Sequence, residues 1–239
     1  GAATVNLTIT AENLAPTNSV SFAPLHFGVH SNLFDAFNIG QVATAPIISV
    51  AEGGGGEAWQ AAFAAADPNA TRGTIGMPLF PGMSRSLTVA VDTSVNRFFT
   101  FASMVIPSND FFIGNDSAIV LFNPDGSLAR TTINQKARQI WDNGSELLDP
   151  SAAAFAVGGN NDLRTPQGSV VAFNFGELHA FNGLGTAAGY TFNSQLVGDT
   201  DVYRLSFAIA PVPEPETYAL MLAGLLLVGT IARRRRNQA

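Results

Sequence analysis

The last 28 residues constrain this chain more than any other stretch. Residues 218–232 (YALMLAGLLLVGTIA) are apolar and uncharged, and Arg233 to Arg236 follow as four consecutive guanidinium groups. An uncharged run enters hydrocarbon only if its backbone closes its own hydrogen bonds, which a helix does. Four arginines resist crossing and hold that end on the cytoplasmic side. The 210 or so residues before the tail are then expected outside the cytoplasm. The apolar run is short, since fifteen residues rise about 22 Å against a hydrocarbon thickness of about 30 Å. Tyr218 at one end and snorkelling arginines at the other make up part of the difference. Upstream, residues 211–217 (PVPEPET) form a stiff polar linker whose prolines are excluded from a helix interior.

The order Val212-Pro213-Glu214-Pro215, apolar helix, arginine cluster resembles the PEP-CTERM sorting signal of Gram-negative bacteria. The resemblance implies an exported protein held in the inner membrane and then processed by an exosortase near the Pro-Glu-Pro. It implies a location in the inner membrane with the body in the periplasm, or at the cell surface after processing. It covers the tail and addresses sorting, not activity.

The body, residues 1–210, is long enough for one sizeable core. Hydrophobic residues make up 46% of the chain and charged residues 13%, which excludes a disordered chain. The 23 glycines, 13 prolines and 18 phenylalanines suggest many turns between aromatic-rich strands, hence an all-β domain. There is no cysteine, so disulfides and thiolate metal sites are excluded. Residues 1–210 hold eight basic and sixteen acidic residues, a balance of −8, which argues against a nucleic-acid partner. The start, Gly1-Ala2-Ala3-Thr4, runs straight into a strand pattern and reads as a mature N-terminus whose leader is removed or not included.

Val5, Leu7 and Ile9 alternate with polar residues, as in a half-buried strand. Residues 22–30 continue with Leu25, Phe27 and Val29 on one face and His26 and His30 on the other. Those histidines fit packing or surface roles better than metal ligation. Residues 31–51 read as irregular, and Gly53 to Gly56 as a flexible loop without P-loop features. Residues 57–66 (EAWQAAFAAA) give the one helical pattern of the body, with Trp59, Ala62, Phe63 and Ala66 on one face. Strands are expected at 87–91, 96–106, 118–122, 170–175 and 201–210, with Asn123-Pro124-Asp125-Gly126 as a turn. The set reads as a two-sheet antiparallel sandwich, followed by a single C-terminal transmembrane helix.

Two polar loops beside apolar strands carry the chemistry. One holds Pro107-Ser108-Asn109-Asp110-Phe111, the other Trp141-Asp142-Asn143-Gly144-Ser145-Glu146. Calcium takes six to eight oxygens from carboxylates, carbonyls and water, and Asp110, Asp142 and Glu146 supply three carboxylates. From spacing alone these are equally ordinary turn residues. The same stretches, with residues 116–122, 22–30 and Ala51-Glu52-Gly53, resemble the spondin N-terminal domain over roughly residues 4–210. That resemblance implies a C2-like β-sandwich with a calcium ion held by loops at one end, and places Asp110, Asp142 and Glu146 at its acidic ligand positions. Glu146 stands where many members have Asp. Asp116 is a lesser candidate, read as a loop residue. Glu177 and His179 do not form a zinc motif, and no GxSxG nucleophile elbow is present.

The expected function is therefore a non-enzymatic, calcium-stabilised adhesion or binding module at the envelope. Its partner is an extracellular polymer or protein. The alternative is a structural subunit of a membrane complex, with Gly224 and Gly229 permitting close helix approach.

Overall fold

The computed structural model describes residues 3–213 and 215–236. Glu214 of the Pro-Glu-Pro, the first two residues and the last three of the basic tail lie outside the described residues.

Strand β1 (Thr4–Asn13) shows how period-2 patterning becomes a layer. Leu7, Ile9 and Ala11 are fully buried. On the outward face Thr8 meets Thr88 and Thr10 meets Ser86, hydroxyl to hydroxyl at 2.7 Å. β1 lies between β5 (Ser84–Asp92) and β12 (Asp201–Pro211), and β9 (Thr132–Lys136) completes a four-stranded antiparallel sheet.

The second sheet is built on β6 (Phe98–Ile106), the apolar strand expected at its centre. β6 pairs with β3 (Leu25–His30) and β7 (Phe111–Gly114), and short β2 (Ser21–Phe22) and β8 (Ile119–Val120) cover its ends. β4 (Thr71–Ile75) lies beyond β3; β10 (Trp141–Asp142) and β11 (Ala172–Phe173) lie beyond β7. Leu25, Phe27 and Val29 of β3 and Phe99 and Phe101 of β6 meet Leu7, Ile9, Leu205 and Phe207 in the core between the sheets. The two-sheet antiparallel body and the C-terminal apolar helix thus agree with the pattern in the sequence.

The helices form a partial third layer. α1 (Ala45–Gly53) and α2 (Glu57–Ala66) cover the outer face of the larger sheet with a second cluster containing Phe34, Ile47, Val50, Trp59, Phe63 and Phe112. α1 corrects the irregular reading of residues 31–51. Pro46 sits in the first turn, where its missing N–H costs nothing, and Ile47, Val50 and Ala51 make one buried face.

The glycine run is likewise not a loose loop. Gly54 takes the left-handed conformation that ends α1 (φ 72°). A Cβ on Gly56 would lie 2.2 Å from the His26 ring, and one on Gly28 2.2 Å from the Phe63 ring. β3 therefore alternates His26, Gly28, His30 on its helix-facing side so that α2 can approach. His30 packs edge-on to Phe63 with centroids 5.0 Å apart.

The sandwich has two distinct ends. At one, β12 finishes at Pro211 opposite Val5 of β1, Ala3 bonds Thr93 just past β5, and β6 begins at Phe98. At the other, β1 finishes at Asn13, whose side chain bonds the carbonyls of Val20 and Leu79, and β6 finishes at Ile106 opposite Ser21. Asp110 and Asp142 flank the β7–β10 pair on this second side, past Phe111 and beside it. After Pro211, residues 212–214 lead to α3 (Pro215–Arg236). The helix starts earlier than the apolar run because proline is tolerated at a helix start. None of it is buried against the body, and its mean hydropathy over an 18-residue window is 1.5.

Candidate metal centre

Asp110 and Asp142 come together through strand pairing. Phe111 lies opposite Asp142, and the amide of Asn143 donates to the Asp110 carbonyl at 3.1 Å. The chain then turns at Gly144, whose φ of +66° and crowding by the carbonyls of Ser169 and Val170 leave no room for a Cβ. This turn returns residues 145–148 toward the Asp110 loop. The segment is held from its other side by residues 165–169, where Leu147 N–H donates to Thr165 and Gln167 N–H to Ser145.

Asp110, Asp142 and Glu146 line one cavity of about 260 Å³, together with Asn109, Gln167, Ser169 and Glu177. Asp110 is 3% exposed and Glu146 2%, so both carboxylates are removed from bulk water. In each, one oxygen is held by the fold. Asp110 Oδ2 accepts from the amides of Ser145 (2.9 Å) and Glu146 (3.0 Å). Glu146 Oε1 accepts from Asn109 Nδ2 at 3.1 Å, while its buried Oε2 has no hydrogen-bond partner among the described residues. Asp142 Oδ1 accepts from Gly144 N–H at 2.8 Å, and Asn174 reaches its Oδ2 at 3.3 Å.

This confinement raises both buried acids to pKa values of about 7. For Asp110 burial is the main cause and the charge of Asp142 the next, against the two amide bonds that favour the anion. For Glu146 burial again dominates. The bond from Asn109 opposes it, and the charges of Glu52 and Arg164 act in opposite directions.

Sequence reasoning missed several neighbours. Arg164 forms a two-pronged pair with the buried Glu52, with Nε and Nη2 each 2.7 Å from a carboxylate oxygen. This joins α1 to the segment beside Glu146. Asn109 also clamps residue 149, donating to its carbonyl at 2.9 Å and accepting from its amide at 2.9 Å. Glu177 reaches the cavity from a 3-10 helix (Phe175–Phe181). Local charge patterning carries no signal for these, because their partners lie tens of residues away. Asp116 stands apart, accepting weakly from the Ile39 amide at 3.3 Å. His26 and His30 are buried packing residues with both ring nitrogens bonded.

The donor set fits a hard cation. The four carboxylates of Asp110, Asp142, Glu146 and Glu177, two side-chain amide oxygens and a serine around the cavity offer oxygen, not imidazole or sulfur, as the ligand atom. The arrangement is not a finished cage: among the described residues no three of His, Asp and Glu already surround a single point.

No curated protein matches the chain. Residues 211–236 match the PEP-CTERM protein-sorting motif, and this tail marks the chain as an exported, envelope-sorted protein with an exosortase-type enzyme as its processing partner.

Proposed function

We propose that the body is a non-enzymatic, calcium-stabilised binding module displayed at the envelope, with Asp110, Asp142 and Glu146 as the residues that hold the ion. The observation that supports it most is the buried, unpartnered Oε2 of Glu146 beside the buried Asp110 carboxylate. Leaving such groups without a counter-charge is costly, and a divalent ion removes the cost. The ion would supply positive charge between two loops. The chain's own residues orient the carboxylates through amide bonds, and Phe111 and Leu148 supply part of the cavity's apolar wall. The two-sheet antiparallel body agrees with the C2-like sandwich expected from the spondin resemblance, whose calcium-bearing loops at one end this reading adopts.

The test is thermal unfolding of the full chain in mild detergent at pH 8. Calcium at about 100 times its dissociation constant adds roughly 2.7 kcal/mol, which for a chain of this size raises Tm by roughly 5–10 °C. Asp142→Ala should lose that gain. An equal Tm with calcium and with chelator overturns the proposal.

A second reading rests on α3, whose apolar residues have no partner within the body. Gly224 and Gly229 have open space around them, as a helix joining a membrane complex would need. A larger complex surviving gentle extraction supports this reading; a free monomer opposes it.

A further inference from the structure

We infer that the sandwich stands end-on at the bilayer, with the loops at its Pro211 end against the lipid headgroups and the acidic cavity facing away. The tether is the first reason. β12 stays paired to β1 up to Pro211, opposite Val5, and α3 begins at Pro215. Four Cα steps span at most about 14 Å when fully extended. The apolar run starts at Tyr218, one helical turn later, which adds about 5 Å. The headgroup layer takes up about 5–8 Å of this distance. The remaining slack is less than the height of the body, because the nine residues of β6 alone rise about 30 Å.

The stiffness of the link is the second reason. Lying flat would need a sharp bend within residues 212–214. Pro213 and Pro215 fix their own φ near −65°, and Pro213 biases Val212 toward extended backbone. The link is therefore stiffer than a Gly/Ser linker of equal length, which disfavours the folded-back path a flat body needs.

The surface brought to the headgroups includes the turns at the start of β6 and the end of β3, beside the segment 121–131 that bonds Arg97 and Phe207. Val95 is 42% exposed there and Leu33 64%, and both can enter the interfacial layer. Exposed aliphatic tips such as Val157 and Val197 also occur elsewhere on the body, so it is the tether, not greasiness, that selects the end. β6 runs from Phe98 at the tethered end to Ile106 at the far end, and Asp110 and Asp142 lie on the far side. The cavity then opens about 30 Å from the headgroups, toward a soluble or surface partner and out of reach of lipid.

This inference rests on the membrane span but not on calcium. The chain has no cysteine, so Val95→Cys and Leu147→Cys can each carry one fluorophore. The full chain is reconstituted without calcium in phosphatidylethanolamine–phosphatidylglycerol vesicles bearing a headgroup nitroxide in both leaflets. The label at 95 should be quenched several-fold more than the label at 147. A flexible Gly/Ser insert of about 12 residues after Pro211 should remove the difference. Equal quenching without the insert, or stronger quenching at 147, overturns the orientation. A chain that fails to float with the vesicles overturns the span itself.

Discussion

Two regions of this molecule bury titratable side chains, and they do so in opposite ways. Under α2, His26 and His30 are sealed between a sheet and a helix, and every ring nitrogen has a partner. His26 meets Thr74 and the Gly54 carbonyl at 3.0 Å each. His30 meets Thr100 at 2.8 Å and the Asn32 amide at 3.1 Å. At the far end of the sandwich, Asp110 and Glu146 are buried as deeply, but the buried Oε2 of Glu146 has no hydrogen-bond partner among the described residues. In the first region both imidazoles are satisfied, although the Trp59 indole N–H of the same layer has no partner among the described residues. In the second, two buried carboxylates share one cavity and no described residue satisfies Glu146 Oε2. What sets the acidic end apart is that its unsatisfied atom belongs to a carboxylate, whereas the Trp59 N–H and Tyr203 O–H left unpaired elsewhere are neutral.

The largest effect that would sharpen this contrast is steric. Gly28→Ala places a methyl 2.2–2.9 Å from three atoms of the Phe63 ring. That ring is stacked at 4.2 Å on Phe34 and packed at 5.2 Å on Trp59, so it cannot withdraw. Chemical denaturation should show a loss of about 3 kcal/mol. A near-neutral result would mean that the helical layer is loose.

The acidic site should respond in the opposite direction. Burial and the charge of Asp142 push the Asp110 carboxyl up from its ordinary value of 3.8 to about 7. The folded protein therefore holds a proton that the unfolded chain releases. Stability from this group is fully present below about pH 4 and is lost as pH rises through about 7. Asp110→Asn keeps the shape without the charge. In calcium-free buffer at pH 8 it should gain on the order of 2 kcal/mol, with little difference from the parent at pH 4. A loss at pH 8 would show that Asp110 is an ordinary structural carboxylate.

His30 supplies the inverse slope. Burial lowers its pKa from 6.5 to about 4, so it folds neutral. Its contribution is present above about pH 6.5 and is lost as pH falls toward 4. Comparing the unfolding free energy of His30→Gln with the parent across this range should reveal a loss on the order of 1–2 kcal/mol confined to the parent. Parallel curves would contradict the neutral, satisfied histidine. The smallest effect is expected from Arg164→Gln. It removes a cation whose charge acts on both Glu146 and Asp110, and should tighten calcium binding by a few-fold in a titration. Weaker binding would instead make Arg164 a support for the site.

Strands were legible wherever one face was buried: the alternation in residues 5–9 and 87–91 fixed both faces of β1 and β5. α2 was legible from Trp59 and Phe63 at helical spacing. α1 was not, because nine residues with two turns of apolar spacing look like loop beside Pro46 and a glycine run. Of that run Gly54 ends α1 in the left-handed conformation and Gly56 makes room for the His26 ring, as Gly28 of β3 does for Phe63, a tertiary demand that local sequence does not display. Asp110, Asp142 and Glu146 could be named as candidates from polar loops beside apolar strands, and they do line one cavity. Glu52, Arg164 and Glu177 could not. They arrive from α1, a loop and a 3-10 helix through contacts across 112 residues in the case of Glu52 and Arg164.

The most direct measurement is the number of protons released when calcium binds. Asp110 and Glu146, both near pKa 7, are each about half protonated at pH 7, and an ion must displace those protons. Titration calorimetry at pH 7 in two buffers of different ionisation enthalpy should report about one proton released per calcium, falling toward zero at pH 9. Binding without proton release at pH 7, or no binding at all, would contradict a calcium site built on these two carboxylates.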